Sequence, residues 1–188
     1  MSIDDDVVQT IQDAARETLM RERFGLLESS EGRMGADAVD ELGNRYELKS
    51  ATRSGVTTGR DLGMHTLQRY RTRYWIICRG TNLRRAGFVV EECRFLSPSM
   101  LEGWFQQIER RLQSDLDLLE RVLSIIRRRG FAEAEIERLS YLVHRGYTLN
   151  NPKIPWHYVE THGIRIEGDP KAHLRRLVSE HPLLPDPS

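Results

Sequence analysis

The stretch Gly35-Ala36-Asp37-Ala38-Val39-Asp40-Glu41-Leu42-Gly43-Asn44-Arg45-Tyr46-Glu47-Leu48-Lys49-Ser50 sets the reading of the whole chain. Asp37 to Leu42 and Arg45 to Ala51 read as two strands, joined at Gly43-Asn44, whose composition suits a hairpin turn. Side chains two apart on a strand point the same way. Glu47 and Lys49 therefore share one face while Leu48 enters the core. If the hairpin sets Asp37 near the end of the neighbouring strand, two carboxylates and an ammonium converge. Paired carboxylate oxygens are the hard ligands that Mg²⁺ selects, usually with waters retained. Such an ion acidifies a water and offsets charge developing on a phosphate, and Lys49 is placed to orient that water. A burial-shifted amine also exchanges protons, which a guanidinium does not. The competing reading is an amphipathic edge strand with an ion pair on one face.

Working outward, charge is unevenly distributed. The 188 residues carry 28 basic and 28 acidic groups, a net charge of zero. Residues 1–43 hold 4 basic and 11 acidic groups, whereas residues 44–90 hold 10 basic groups against only Glu47 and Asp61. The carboxylate–lysine stretch thus opens the segment where a polyanion is expected to dock. Arginine supplies nearly all of the positive charge; the lysines are Lys49, Lys153 and Lys171. A lysine at the centre of the candidate site is therefore a departure from the chain's habit.

Composition bounds the class. A hydrophobic content of 39% with 30% charged residues describes a soluble globular protein. Nothing approaches an 18-residue apolar run, and Ser2-Ile3-Asp4-Asp5-Asp6 lacks the pattern of a secretory signal. Cys78 and Cys93 sit in apolar, strand-like stretches without metal-ligand spacing, so buried free thiols and a cytoplasmic location are expected.

The expected fold class is α/β (α+β), with a central mixed sheet flanked by helices. A helix over 4–24 precedes a loop at 28–36, and a polar, basic surface loop spans 52–60. A short helix over about 62–72 leads to a buried strand at Tyr74 to Arg79, a turn at 80–86, and a strand at Gly87 to Leu96. Ser97-Pro98 opens a long helix that Gly130 stops, and a second helix follows over about 132–145. Residues 149–155 read as irregular because two prolines bracket them. A helix at 156–162, a strand at Ile164 to Glu167, a helix capped by Asp169-Pro170 and a fraying tail from His181 complete the chain.

With these elements placed, the chain resembles the PD-(D/E)xK nuclease core and, more closely, the PvuII-like type II restriction endonucleases. The matching stretches are 35–40, 46–50, Tyr70-Arg71, 75–80, Asn150-Asn151-Pro152-Lys153-Ile154-Pro155 and 158–163, in the same order as in that family. They fall within residues 35–105 and 149–166, about half of the chain. The resemblance implies a restriction-endonuclease-like core with an added helical hairpin. It also implies that Asp37 and Glu47 ligate Mg²⁺ with the Leu48 carbonyl assisting, and that Lys49 positions the hydrolytic water. Tyr70 either helps order that water or packs on the core, and Asp40 is read as structural.

Two segments resemble the family's DNA-reading loops. Asn150 and Asn151, with Lys153 beside them, carry amides that match the adenine edge; the alternative is a turn ahead of Pro152. In the other segment Thr57 stands in place of a serine, but Gly59-Arg60-Asp61 replaces three consecutive histidines. Arg60 and Asp61 suit guanine and cytosine edges, or else Arg60 binds phosphate and Asp61 caps the next helix.

The expected organisation is one nuclease domain over 1–188. Residues 1–27 form a helical dimer element, 35–105 the catalytic core, 106–147 a helical insertion, 148–168 a recognition loop and late strand, and 169–188 a helix and tail. The insertion is extra core, a dimer face, or a clamp using Arg127-Arg128-Arg129. The function implied is a homodimeric, Mg²⁺-dependent endonuclease that cuts both strands of a short palindrome in double-stranded DNA. No membrane and no organic cofactor are expected. A repair nuclease on the same core and a non-catalytic DNA-binding protein are the rivals.

Overall fold

A computed structural model describes residues 5–31, 35–51, 55–59, 61–83, 87–130, 132–146 and 148–183. The elements are α1 (Asp5–Phe24), β1 (Leu27–Glu28), β2 (Ala38–Val39), β3 (Arg45–Ala51), β4 (Gly55–Thr57), α2 (Met64–Tyr70), β5 (Tyr74–Leu83) and β6 (Gly87–Leu96). They continue with α3 (Pro98–Arg128), α4 (Glu133–Gly146), β7 (Lys153–Pro155), α5 (Trp156–His162), β8 (Ile164–Arg165) and α6 (Pro170–Glu180).

Six strands form a mixed sheet in the order β1-β2-β3-β5-β6-β8. Only β3 and β5 run parallel, with Glu47 opposite Trp75 and Lys49 opposite Ile77. The connection between them carries β4 and α2, which explains why a parallel pair was not evident from a local hairpin pattern. Strand alternation then divides the apolar residues between two cores. Leu48, Ile76, Cys78 and Phe95 face α1 and α6, where Met20, Phe24, Leu174 and Leu177 are buried. Trp75, Ile77 and Leu96 face α2, α3 and α5, packing on Leu67, Tyr70, Leu101, Trp104, Phe105 and Val159. Burying both faces is what a central strand demands, and β5 is accordingly apolar from Tyr74 to Cys78.

The hairpin at Gly43-Asn44 forms as expected. Gly43 has a φ of 84°, which a side chain at that position would resist. Asp40 is structural: its carboxylate accepts from the backbone N–H groups of Leu42 and Asn44, the Asn44 amide and the Tyr46 hydroxyl. Burial raises the Tyr46 pKa strongly, and the Asp40 carboxylate adds to the shift.

Several expectations need correction. Part of the 52–60 loop is strand: β4 pairs antiparallel with β7, inside the stretch expected to be irregular. The prolines of that stretch are tolerated because β7 is three residues long in a two-stranded ribbon. Strand β5 runs on to Leu83, past an irregularity at Arg79/Gly80, so residues 80–83 of the expected turn are strand, and 84–86 lie outside the described residues. Cys78 and Cys93, expected as free thiols, are disulfide-bonded. They face each other across β5 and β6 with Cα atoms 4.1 Å apart, a juxtaposition set by strand register rather than by local sequence. The chain beyond α6 is anchored as far as Leu183, because the Tyr74 hydroxyl donates to the His181 carbonyl and accepts from the Leu183 N–H. Residues 184–188 lie outside the described residues.

Helix α3 is one continuous element, opened by Ser97-Pro98 and followed by Gly130 at a φ of 81°. Ile108 and Leu112, within the expected insertion, belong to the main core. Farther along, Arg127 pairs with Glu133 at the start of α4, an exposed ion pair between the two helices of the hairpin.

Candidate active site

Strand β3 delivers Glu47 and Lys49 to the same face of the sheet, towards α2 and α3. Asp37 reaches them from the residue before β2. Its N–H donates to the Tyr46 carbonyl at 3.0 Å, and one carboxylate oxygen, Oδ2, accepts from the Leu48 N–H at 2.8 Å. The same Oδ2 lies 3.2 Å from Lys49 Nζ, while Glu47 Oε1 lies 2.7 Å from it. One ammonium therefore bridges both carboxylates, and the three residues expected to converge do so. Leu48 contributes its backbone here; its side chain is buried on the opposite face.

Electrostatics tie the group together. Burial pushes the Glu47 carboxyl upward, Lys49 pulls against that, and the neighbouring Asp37 adds to the rise. Burial alone would lower the Lys49 pKa, but Glu47 and Asp37 outweigh it and hold the amine charged. In this arrangement Lys49 is a fixed cation, because two carboxylates offset its lost hydration.

Tyr70, at the end of α2, is buried and packs edge-on against Trp75 with ring centroids 4.8 Å apart. Its hydroxyl is pushed up to about 12 by burial first and by the charge of Glu47 second. Tyr70 is therefore a core aromatic, as the packing reading has it, and its hydroxyl lies in the field of the Glu47 and Asp37 carboxylates. The hydroxyl also lies 3.1 Å from where a β-carbon at Gly59 would stand.

Gly59 belongs to the second part of the site. Thr57 opposes Lys153 in the β4–β7 ribbon. The Thr58 hydroxyl donates to the Pro152 carbonyl at 2.7 Å, the Asn151 N–H donates to the Gly59 carbonyl at 3.0 Å, and Leu62 bridges to Leu149. The two segments expected to read DNA are thus fused into one platform. Thr57, Asp61, Asn150 and Lys153 are exposed on it, and Asn151 is half-buried with a φ of 48°. That left-handed conformation agrees with the turn reading of Asn151. Asp61 does not cap α2, whose N-cap is Gly63 without a side-chain bond. Arg60 lies outside the described residues.

Sequence reasoning missed Arg73. Its Nη1 sits 2.9 Å from Glu47 Oε2, with both side chains almost wholly buried. Extending the strand alternation one step back from Trp75 places Arg73 on the face of Glu47, and that was the available signal. The arginine-rich segment also needs a different reading. Arg45 pairs with Glu31, Arg71 with Glu102 and Glu109, Arg73 with Glu47, and Arg79 with Glu92. Much of its positive charge is thus neutralised within the chain.

The donor set fits a hard divalent cation. Two carboxylates share one cationic centre, the Lys49 ammonium, and among the described residues no group of three or more His, Cys, Asp or Glu side chains is placed to hold a metal, here or elsewhere. A site with few protein oxygens suits an ion that keeps its waters.

A mixed sheet bearing Asp37 and Glu47-Leu48-Lys49, with the β4–β7 platform beside it, agrees with the class that the family match shows: this is a type II site-specific deoxyribonuclease. The sequence model of the family described as "Restriction endonuclease PvuII" matches residues 2–121, well over half of the chain, and the chain belongs to that family. The match covers Asp37, Glu47 and Lys49, β4 and α2, and ends within α3. Among the described residues no helix is long and apolar enough to cross a membrane.

Proposed function

We propose that the enzyme is a Mg²⁺-dependent endonuclease that acts as a homodimer and hydrolyses both strands of a short palindromic site in double-stranded DNA. The observation that carries this reading is the single ammonium of Lys49 held between Asp37 and Glu47. Asp37, Glu47 and the Leu48 carbonyl would hold the ion. When bound, it supplies an acidified water and offsets negative charge on the scissile phosphate.

The residues of the chain do the rest. Lys49 orients the attacking water and opposes charge on the phosphate. Tyr70, with a hydroxyl kept protonated by burial, donates a hydrogen bond to water at the site. Water adds at phosphorus, the bond to the 3′-oxygen breaks, and that oxygen takes up a proton, giving a 5′-phosphate and a 3′-hydroxyl. Thr57, Arg60, Asp61, Asn150, Asn151 and Lys153 form the DNA-reading set. Asn amides address adenine, Asp61 addresses cytosine N4, and the cations address guanine or phosphate. A two-fold dimer on a palindrome puts one site on each strand.

The fold is read as one nuclease domain, with residues 1–27 contributing to the dimer and the α3–α4 hairpin extending the core. Digestion of a plasmid with Mg²⁺, followed by sequencing of the fragment ends, tests the proposal. Discrete fragments sharing one end sequence are expected. A smear of unrelated ends would point to a structure-directed nuclease, and no cleavage to a DNA-binding protein.

A further inference from the structure

Arg73 does more than neutralise a buried charge. It lies just before β5, and its Nη1 makes two contacts from one nitrogen: to Glu47 Oε2 at 2.9 Å and to the Gly35 carbonyl at 2.8 Å. Gly35 stands two residues before Asp37. One guanidinium nitrogen therefore ties the strand bearing Glu47 to the backbone that delivers Asp37. The Arg73 and Glu47 side chains are 6% and 4% exposed, so neither charge is appreciably solvated and their pairing offsets part of that lost hydration.

We infer that Arg73 is the positioning residue of the cation site: it holds Glu47 Oε2 and the Gly35 carbonyl so that Glu47 Oε1 and the Asp37 carboxylate face a common centre. The inference rests on the reading of Asp37 and Glu47 as the cation-binding pair. It follows from how the four Glu47 and Asp37 contacts are shared. Lys49 takes Oε1 and Asp37 Oδ2, Arg73 takes Oε2, and the Leu48 N–H takes Asp37 Oδ2 as well. With Oε2 engaged from behind, Glu47 offers a cation one oxygen in a defined direction. Without Arg73, the carboxylate is free to rotate and to engage Lys49 with either oxygen. The 35–37 segment also loses a tether to β3. Outer partners of ligating carboxylates ordinarily matter in this way, because they fix ligand orientation before the ion arrives.

The test is a Mn²⁺ titration of the full-length protein without DNA, read by the electron paramagnetic resonance signal of free Mn²⁺. Arg73→Leu, Arg73→Gln and Arg73→Lys are compared with the unaltered protein and with Asp37→Ala. Arg73→Leu and Arg73→Gln are expected to bind Mn²⁺ roughly 10- to 100-fold more weakly. Arg73→Lys, which keeps the charge and a donor, is expected to recover much of that loss. Circular dichroism in the absence of Mn²⁺ identifies folded variants, and Arg73→Gln serves if Arg73→Leu does not fold. Wild-type or tighter affinity in folded Arg73→Gln, or no recovery in Arg73→Lys, overturns the inference. If Asp37→Ala binds as tightly as the unaltered protein, the underlying assignment of the cation-binding pair fails, and the inference with it.

Discussion

Thr58 donates its hydroxyl to the Pro152 carbonyl at 2.7 Å, a buried bond between residues 94 positions apart in sequence. Together with the Asn151 to Gly59 bond, it makes one surface from two segments that the chain presents separately. Replacing Thr58 by Val removes the donor while keeping the shape, leaving the buried carbonyl without it. A loss of about 1–3 kcal/mol in unfolding free energy is expected by denaturant titration. If the platform reads DNA, KM for a cognate duplex rises while Mn²⁺ affinity stays unchanged. A variant with unaltered stability would show that the bond does not matter in solution.

Gly59 is held close to the Tyr70 hydroxyl, 3.1 Å from the position of an added β-carbon. Gly59→Ala must therefore push either the platform or the tyrosine. Cleavage is expected to fall on the order of tenfold, as for other small displacements near a reacting centre. The double variant Gly59→Ala with Tyr70→Phe removes the crowded oxygen, so its loss should be smaller than the product of the two single losses. Independent, multiplicative losses in single-turnover rates would refute the coupling.

Lys49 is the shared cation of the candidate site, and its replacement tests the catalytic assignment directly. Lys49→Ala is expected to lower the cleavage rate by about 10²–10³, the range seen when one preorganised charge is removed from an active site. Lys49→Arg should not restore it, because a planar fork cannot occupy the compact position between Asp37 and Glu47. Substantial activity in Lys49→Ala with Mg²⁺ would remove Lys49 from the mechanism.

Tyr46 makes stability depend on alkaline pH. An unfolded tyrosine ionises near pH 10, whereas burial first and the Asp40 carboxylate second raise the value in the fold. Between those values the folded state holds a proton that the unfolded state has lost. Its contribution is complete below about pH 10 and is lost as pH rises beyond, by up to about 1.4 kcal/mol per pH unit. Denaturant titrations at pH 8 to 11 should show the unaltered protein losing stability above pH 10 more steeply than Tyr46→Phe. Parallel pH curves for the two proteins would contradict this.

What the sequence determined by itself was local. The turn chemistry of Gly43-Asn44 and the two-residue alternation of Tyr46-Glu47-Leu48-Lys49 put Glu47 and Lys49 on one face. Ser97-Pro98 and Asp169-Pro170 located helix starts, because caps and prolines act within one turn. The family likewise followed from ordered motifs rather than from contacts. Tertiary structure decided whatever depended on register or on a partner far along the chain. The parallel pairing of β3 with β5 brought Arg73 beneath Glu47. The pairing of β4 with β7 joined the two reading segments, and the opposition of β5 and β6 paired the cysteines. Local propensity carries no information about which distant residue will stand opposite. The same reason changes the meaning of the basic stretch: its summed charge was legible, but its internal ion pairs with Glu31, Glu102, Glu109 and Glu92 exist only in the folded chain.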